Sequence, residues 1–187
     1  MPEARPRPGT RQIGIKLDHN CTSANLAREA TARGIASERL VFARRLPLSE
    51  HVARHRLADL FLDTLPVNAH TTASDALWAG LPVLTCAGST FAGRVAGSLL
   101  RAIGLNDLVT TSLAEYEALA LRLAHDIGLL RQFRARLAEN RLSFPLFDTT
   151  RSTRALEAAY CQMYEIRRSG KSPTPFSILP SGRCSSL

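Results

Sequence analysis

The sequence lacks the features that mark membrane, secreted or zinc-binding proteins. No apolar run in its 187 residues approaches the ~18 residues that a membrane-spanning helix needs. Residues 1–22 contain no apolar stretch of the kind that forms the centre of a secretory signal. The four cysteines form no Cys-x-x-Cys pair and no Cys/His spacing typical of zinc. We therefore expect a cytoplasmic protein that contacts no membrane and binds no metal.

Three common motifs of nucleotide-binding proteins and hydrolases are also absent. The chain has no Gly-x-Gly-x-x-Gly of a dinucleotide-binding fold and no Gly-x-Ser-x-Gly of a nucleophile elbow. The segment Gly170-Lys171-Ser172 resembles the end of a phosphate-binding P-loop. However, Glu165 stands where that motif requires its first glycine, and no strand precedes it. These absences argue against a dehydrogenase, a P-loop nucleotidase and an α/β-hydrolase.

Lysine is scarce, although the net charge is +8, because nearly all of the basic residues are arginine. Most of the excess positive charge lies in the two flanks, residues 1–22 and 167–187, while residues 23–166 are nearly balanced. A nucleic-acid-binding fold normally concentrates its positive charge on one face of the folded body. Because aromatic residues also make up only 6% of the chain, we expect no nucleic-acid partner.

Short apolar segments alternate with helical patterns along the body of the chain. Strands are predicted over residues 40–43, 60–62, 82–85 and 108–110, and the first is expected to be buried. Helices are predicted over 23–34, 49–58, 71–79, 90–103, 112–125, 126–140 and 149–168. This alternation predicts an α/β fold, a Rossmann-like parallel sheet that is covered by helices on both faces.

The flanks differ from this body, so the chain divides into three parts. Residues 1–22 contain three prolines and two glycines and show no apolar periodicity, which predicts a ragged lead-in, whereas residues 23–168 form one predicted domain. Residues 169–187 contain three prolines and six serines, which predicts a disordered basic tail. Within the domain, Ser23 is a candidate helix cap, and Ser112 with Glu115 matches a capping box.

The segment after the strand at 60–62 contains the densest group of polar residues near a predicted helix start. It runs from Asp63 to Asp75, and the helix is expected to begin at His70-Thr71-Thr72. The first backbone N–H groups of a helix have no intrahelical partners, and the helix dipole is positive there, so a phosphate or diphosphate is a suitable ligand. Asp75 lies one turn further on, where it could accept hydrogen bonds from ribose hydroxyls. The alternative is that the threonines only cap the helix.

A second candidate site is the segment Leu46-Pro47-Leu48-Ser49-Glu50-His51, which follows the strand at 40–43. Here His51 also faces the carboxyl edge of the predicted sheet, where α/β proteins bind their ligands. It could pack on a planar base or bind a phosphate. The alternative is an ordinary surface histidine near a helix start.

Long ungapped motifs make the chain resemble a known family. They are the segments LADLFLDT (57–64), NAHTTASDALWAGLPVLT (68–85), FAGRVA (91–96) and SFPLFDT (143–149). These segments resemble the C-terminal catalytic region of the O-linked N-acetylglucosamine transferases and the SPINDLY-like transferases. The resemblance covers about residues 23–168 and implies the donor-binding half of a GT-B glycosyltransferase.

The resemblance implies an enzyme that moves N-acetylglucosamine from UDP-N-acetylglucosamine to Ser or Thr hydroxyls of a protein acceptor, without a metal or another cofactor. By residue-by-residue correspondence, Leu46, Pro47 and Leu48 would meet the uracil and ribose, and His51 would pack at the uridine. The diphosphate and sugar would be held by His70, Thr71 and Thr72, and Asp75 would bind the ribose.

The chain also departs from the family pattern. A lysine or similar polar residue often stands where this chain has Leu48, and residues 1–22 contain no match to the family's upstream phosphate-binding lysine. The acceptor-binding half and the helical repeats are absent, so no catalytic acid or base can be named. We therefore expect a truncated product that is weakly active or inactive alone, with a separate N-terminal half or repeat domain as a further partner. The alternative is a non-catalytic nucleotide-sugar-binding module that docks on a separate acceptor half.

Overall fold

The computed structural model describes residues 13–15, 20–178 and 184–186. The chain divides into two compact units, with the boundary after Arg141. In the first unit, the strands are β1 (Ile13–Ile15), β2 (Val41–Ala43), β3 (Phe61–Leu62), β4 (Val83–Cys86) and β5 (Val109–Thr110). Its helices are α1 (Asn20–Ala32), α2 (Leu48–Arg54), α3 (Thr71–Trp78), α4 (Val95–Ala102), α5 (Leu113–His125) and α6 (Ile127–Asn140).

All five of these strands pair in parallel, which confirms the predicted fold class. The central sheet has the order β3-β4-β5, with Phe61 opposite Val83 and Thr85 opposite Val109. The remaining strands, β1 and β2, form a separate two-stranded parallel sheet. Parallel neighbours require crossover connections, and the helices between the strands provide them.

The core of the first unit lies around β4, in which all four residues are buried. Leucines from α3, α4 and α5 surround this strand, and Leu77, Leu100 and Leu123 are each at most 1% exposed. A strand that is buried on both faces reads as a continuous apolar run rather than an alternating one. This explains why β4 was predicted nearly to the residue.

The first strand of the prediction, 40–43, is present as β2, but the expectation that it is buried is wrong. Val41 is 53% exposed, and the next two residues are only half-buried. The reason is that β2 pairs with β1 in the two-stranded sheet and lies outside the central sheet.

The lead-in predicted for residues 1–22 contains regular structure. Residues 13–15 form β1, and α1 begins at Asn20, so Ser23 lies inside the helix and is not its cap. The isoleucines of β1 favour a strand, but a three-residue strand is stable only through its pairing with β2, which a local pattern does not reveal. Residues 1–12 and 16–19 lie outside the described residues.

Glycines end the helices where the sequence predicts. Gly80 has a φ of +85° directly after α3, and the N–H of Leu81 donates to the carbonyl of Ala76 at 2.9 Å. Gly34, with a φ of +73°, ends α1 through the same arrangement. Only glycine adopts this left-handed conformation without steric cost, and the resulting bonds satisfy the last carbonyls of each helix.

One helix start differs from the sequence prediction, and one predicted capping box is formed only in part. The helix predicted from residue 90 begins only at Val95, because residues 87–94 form a tight loop after β4. For α5, the Ser112 hydroxyl accepts from the Glu115 N–H at 3.2 Å, as a capping box requires. The Glu115 carboxylate, however, accepts from both the N–H and the hydroxyl of Thr111 at 2.9 Å, and these bonds lower its pKa.

The second unit contains α7 (Thr149–Arg168) and two short antiparallel strands, β6 (Phe176–Ile178) and β7 (Cys184–Ser186). The prediction of a disordered tail from residue 169 is therefore wrong for these segments. In β6 the flanking Phe176 and Ile178 are half-buried and Ser177 is exposed. This period-2 alternation is typical of a strand, and the surrounding prolines and serines obscured it. Residues 179–183 and 187 lie outside the described residues.

Candidate functional site

Two loops meet beyond the carboxyl ends of β3 and β4. The β3–α3 loop comprises residues 63–70, and the β4–α4 loop comprises residues 87–94. The N–H of Asn68 in the first loop donates to the carbonyl of Ala92 in the second at 3.0 Å. The His70 ring approaches the same carbonyl, with Nε2 at 3.3 Å from its oxygen. These bonds place both loops at the edge of the sheet where α/β proteins bind ligands.

Small residues allow the two loops to approach each other closely. A Cβ added to Gly93 would lie 3.0 Å from the carbonyl oxygen of Pro66 and 3.2 Å from the Cα of Gly88. The N–H of Gly88 donates to the carbonyl of Gly93 at 2.6 Å, which closes the second loop on itself. No larger side chain fits at residue 93 unless the backbone moves.

The start of α3 has the geometry that the sequence predicts. His70 is the residue before the first helical turn, and its side chain makes no capping bond to the helix. Ser74 donates the first intrahelical N–H, to the carbonyl of His70 at 3.1 Å. Thr71 and Thr72 occupy the first two helical positions, so neither is the cap, and the capping alternative is not supported. Their backbone N–H groups and that of Ala73 are available to an anion at the positive end of the helix dipole.

The second predicted segment meets the first through a pair of side chains on α2 and α3. His51 Nε2 lies 4.0 Å from Asp75 Oδ2, and the two side chains are 15% and 23% exposed. The Arg54 guanidinium lies 2.6 Å from His51 Nδ1 and also donates to the carbonyl of Arg44 at 2.6 Å. A guanidinium can only donate, so Nδ1 of His51 accepts and the proton of the neutral ring is on Nε2, facing Asp75.

Burial lowers the pKa of His51, and the charges of Arg54 and His55 lower it further, whereas Asp75 opposes the shift. The contact with Asp75 is therefore one between a neutral imidazole and a carboxylate, and not an ion pair. The His55 ring packs edge-on against His51 at 4.8 Å, and its Nδ1 lies 2.8 Å from the His51 carbonyl oxygen. His51 is thus a fixed, partly buried donor and not an ordinary surface histidine.

The apolar segment Leu46–Leu48, which lies just before Ser49, Glu50 and His51, is exposed. Pro47 precedes the first turn of α2, and its carbonyl accepts from the His51 N–H at 2.8 Å. Leu46 is 37% and Leu48 is 70% exposed. These apolar side chains lie next to the turn of α2 that carries His51. Because they are exposed, a planar ligand could pack on them.

Asp63 organises the β3–α3 loop, although it is not among the predicted site residues. Its carboxylate is 7% exposed. One oxygen accepts from the N–H groups of Thr64 and Ala69 at 2.8 and 2.6 Å, and the other accepts from the Thr85 hydroxyl at 2.6 Å. The Tyr116 hydroxyl donates to the Asp63 carbonyl at 2.9 Å. The only local signal was an acidic residue directly after a short apolar strand.

The described residues offer no group of three or more His, Cys, Asp or Glu side chains that could hold a metal ion. Across the same residues, no helix combines the length and apolar character needed to cross a membrane.

The chain belongs to glycosyl transferase family 41, whose sequence model matches residues 19–156. The fold agrees with this assignment. A solved structure of a mutant O-GlcNAc transferase from Thermobaculum terrenum superimposes with a TM-score of 0.72 at 39% sequence identity. That match covers 78% of this chain and 28% of the other, and it confirms the predicted α/β fold of the GT-B type.

Two longer proteins are similar to most of this chain. The chain is 41% identical over 151 residues to a probable UDP-N-acetylglucosamine–peptide N-acetylglucosaminyltransferase, SEC, of Arabidopsis thaliana. It is 37% identical over 146 residues to the UDP-N-acetylglucosamine–peptide N-acetylglucosaminyltransferase of Caenorhabditis elegans. These matches cover 80% and 78% of this chain but only 16% and 13% of the relatives. The chain thus spans about a sixth of their length or less.

Proposed function

We propose that this chain is the donor-binding part of a glycosyltransferase that moves N-acetylglucosamine from UDP-N-acetylglucosamine to Ser or Thr hydroxyls of a protein. The family and the names of the relatives support the reaction. One structural observation carries the proposal for this chain. The uncapped start of α3 and the His51–Asp75 pair lie one helical turn apart, which suits a diphosphate joined to a ribose.

Each predicted site residue has a role in this proposal. The N–H groups of the first turn of α3, with the hydroxyls of Thr71 and Thr72, hold the diphosphate. His70 lies beside them, towards the sugar. Asp75 accepts from the ribose hydroxyls, and His51 presents its Nε2–H at the uridine. The exposed apolar surfaces of Leu46, Pro47 and Leu48 cover the uracil. The contacts of these eight residues with a nucleotide stay predictions.

The same geometry supplies part of the catalysis. When the acceptor hydroxyl attacks the anomeric carbon, the bond from that carbon to the β-phosphate oxygen breaks and UDP leaves. Negative charge grows on the diphosphate, and preoriented N–H donors at a positive helix end stabilise it. Losing one such donor typically raises the barrier by about 3 kcal/mol. This helix end needs no metal to act on the diphosphate, so metal-independent transfer, without a further cofactor, remains part of the proposal.

A second candidate function is a non-catalytic module that binds the nucleotide sugar and docks on a separate acceptor half. The loops around the start of α3 expose apolar side chains, among them Val67 at 58% and Phe91 at 80%. Such side chains suit a surface that is covered in a larger assembly. In either case, a protein acceptor and a separate N-terminal half or repeat domain are the proposed partners, and a cytoplasmic location stays a prediction.

Titration calorimetry with UDP tests the proposed site in the full 187-residue chain. Asp75→Ala and His70→Ala should each weaken UDP binding strongly, because they remove a ribose acceptor and a group beside the diphosphate. Arg33→Ala, which removes an exposed pair with Glu29 on α1, is the matched control and should bind UDP normally. Unchanged affinity in both site variants would contradict the assignment.

A transfer assay separates the two candidate functions. The chain alone should transfer little sugar to a protein acceptor, because no catalytic acid or base is assigned to it. Adding the acceptor half of a relative should restore transfer if the chain is a donor-binding enzyme part. Robust transfer by the purified chain alone would show that the donor-binding-part proposal is wrong.

A further inference from the structure

A buried carboxylate fixes the backbone that leads into α3. Asp63 directly follows β3 and is only 7% exposed. Ionised carboxylates are rarely buried unless each oxygen finds a donor. Here one oxygen accepts from two backbone N–H groups and the other from the hydroxyl of Thr85, which is itself fully buried in β4.

These bonds join the two ends of the β3–α3 loop. Thr64 opens the loop, whereas Ala69 stands immediately before His70, the residue that precedes α3. The bond to Ala69 is 2.6 Å long, a short distance that is typical of an N–H donating to a charged acceptor. Within the loop, the Asn68 side chain also donates to the carbonyl of Thr64 at 3.1 Å. The backbone that leads into α3 is thus bonded to a side chain that lies eight residues before the first residue of the helix.

A second contact secures the same residue from α5. The Tyr116 hydroxyl donates to the backbone carbonyl of Asp63 at 2.9 Å. Asp63 is therefore held by β4 through its side chain and by α5 through its carbonyl. Thr85 is fully buried and Tyr116 is half-buried, so these two bonds tie the start of the loop to β4 and α5.

We propose that Asp63 is a positioning residue for the diphosphate-binding start of α3. It touches no part of the nucleotide. Its role is to hold the backbone at Ala69 and His70, so that the N–H groups of Thr71, Thr72 and Ala73 converge on the diphosphate. This inference rests on the proposed function, because it concerns the same UDP site. It predicts that losing the carboxylate weakens the diphosphate contacts and spares the uridine contacts.

The test compares UDP with uridine in the full chain, by calorimetry for UDP and competition for uridine. Asp63→Ala should lower the affinity for UDP about 10-fold, because a misplaced helix start loses buried, charge-assisted bonds. The affinity for uridine should stay within about 2-fold, since His51 and Asp75 are untouched. Asp63→Asn keeps an oxygen for the two N–H groups and should restore UDP binding to within about 3-fold.

Two further variants distinguish a loss of positioning from a loss of folding. Thr85→Val keeps the shape of the buried side chain and removes only its hydroxyl. Like Asp63→Ala, it should lower the UDP-to-uridine ratio, which is the affinity for UDP divided by the affinity for uridine, and the decrease should be about 3-fold. If Asp63→Ala does not fold, Thr85→Val decides the question. Asp107→Ala removes an exposed carboxylate before β5, at the opposite edge of the sheet, and should leave both affinities unchanged.

The outcomes distinguish this inference from the proposed function. A UDP-to-uridine ratio that stays at the wild-type value in both Asp63→Ala and Thr85→Val would overturn the positioning role, even if UDP binds. General destabilisation would lower both affinities together and leave the ratio unchanged, which also overturns it. If the wild-type chain does not bind UDP at all, the proposed function fails, and this inference fails with it.

Discussion

His51 Nε2 lies 4.0 Å from Asp75 Oδ2, which joins α2 to α3 at the carboxyl edge of the sheets. Each residue comes from a different strand-to-helix junction, and sequence analysis selected the two junctions separately. The Arg54 guanidinium holds the other nitrogen of the His51 ring, so the direction of the Nε2–H is set before any ligand arrives. One elongated ligand can therefore meet both junctions.

The lowered pKa of His51 predicts a specific loss of stability in acid. The pKa lies below its usual 6.5, mainly because burial disfavours the charged ring, so the unfolded chain takes up a proton more readily than the folded one. Stability from this residue is present above about pH 6.5 and is lost as the pH falls towards the folded value. Urea unfolding at about pH 7.5 and about pH 5.5 measures it.

The variant His51→Gln should show a smaller acid loss of unfolding free energy than the wild type. His125→Gln, which alters an exposed histidine at the end of α5, is the control and should lose as much stability as the wild type. Identical acid losses in His51→Gln and the wild type would contradict a buried neutral ring.

The raised pKa of Tyr116 predicts a loss of stability at alkaline pH. Burial, with the negative charges of Asp63 and Cys86, raises its pKa from 10.0 to about 12. The neutral phenol is thus favoured in the fold, so its contribution to stability is present below about pH 10 and is lost as the pH rises towards 12. The unfolding free energy of Tyr116→Phe should therefore fall less between about pH 9 and about pH 11 than that of the wild type.

Tyr160→Phe is the matched control, because Tyr160 is an exposed tyrosine of the second unit. Its alkaline loss should equal that of the wild type. A Tyr116→Phe variant that loses stability as steeply as the wild type would show that Tyr116 ionises in the fold as readily as in the unfolded chain.

Gly93→Ala should disturb both loops of the site. The added Cβ would meet only backbone and one hydroxyl at 3.0 to 3.3 Å, so the loops must separate. Overpacking of this kind typically costs about 1–3 kcal/mol, and the shift of Pro66 should also weaken UDP binding. Urea unfolding and UDP calorimetry measure the two effects.

Gly128→Ala provides the comparison for that substitution. Its Cβ would meet only a side-chain oxygen, Asp126 Oδ1 at 3.2 Å, which caps α6 by accepting from the Leu129 N–H. Stability should change by less than about 1 kcal/mol, because alanine also favours the helix. Equal stability and equal UDP affinity in the two variants would show that the contact between the loops does not depend on residue 93.

Local sequence signals were sufficient for α3, the element that carries most of the candidate site. The threonines mark its start and Gly80 marks its end, and both lie within a few residues of the helix they delimit. The buried strand β4 was equally clear, since it is a short and mostly apolar run with no charged residue. Interactions of this kind can be read from a sequence because they depend on neighbours in the chain.

Contacts between distant residues could not be read in the same way. The bonds of Asp63 to Thr85 and Tyr116 span 22 and 53 residues, so nothing near Asp63 identifies its role. The start of α4 was predicted five residues early, because the close approach of Gly88 and Gly93 overrides local helix propensity. In β1 and β6, pairing with a partner strand stabilises segments that are too short to be predicted alone.

The most direct test of the site is the affinity of the wild-type chain for UDP against that for uridine. If the start of α3 binds the diphosphate, UDP should bind at least about 10-fold more tightly, because several charge-assisted N–H bonds are added. The difference should shrink as salt is raised, since part of it is electrostatic. Equal affinities for UDP and uridine would contradict a diphosphate site at the start of α3.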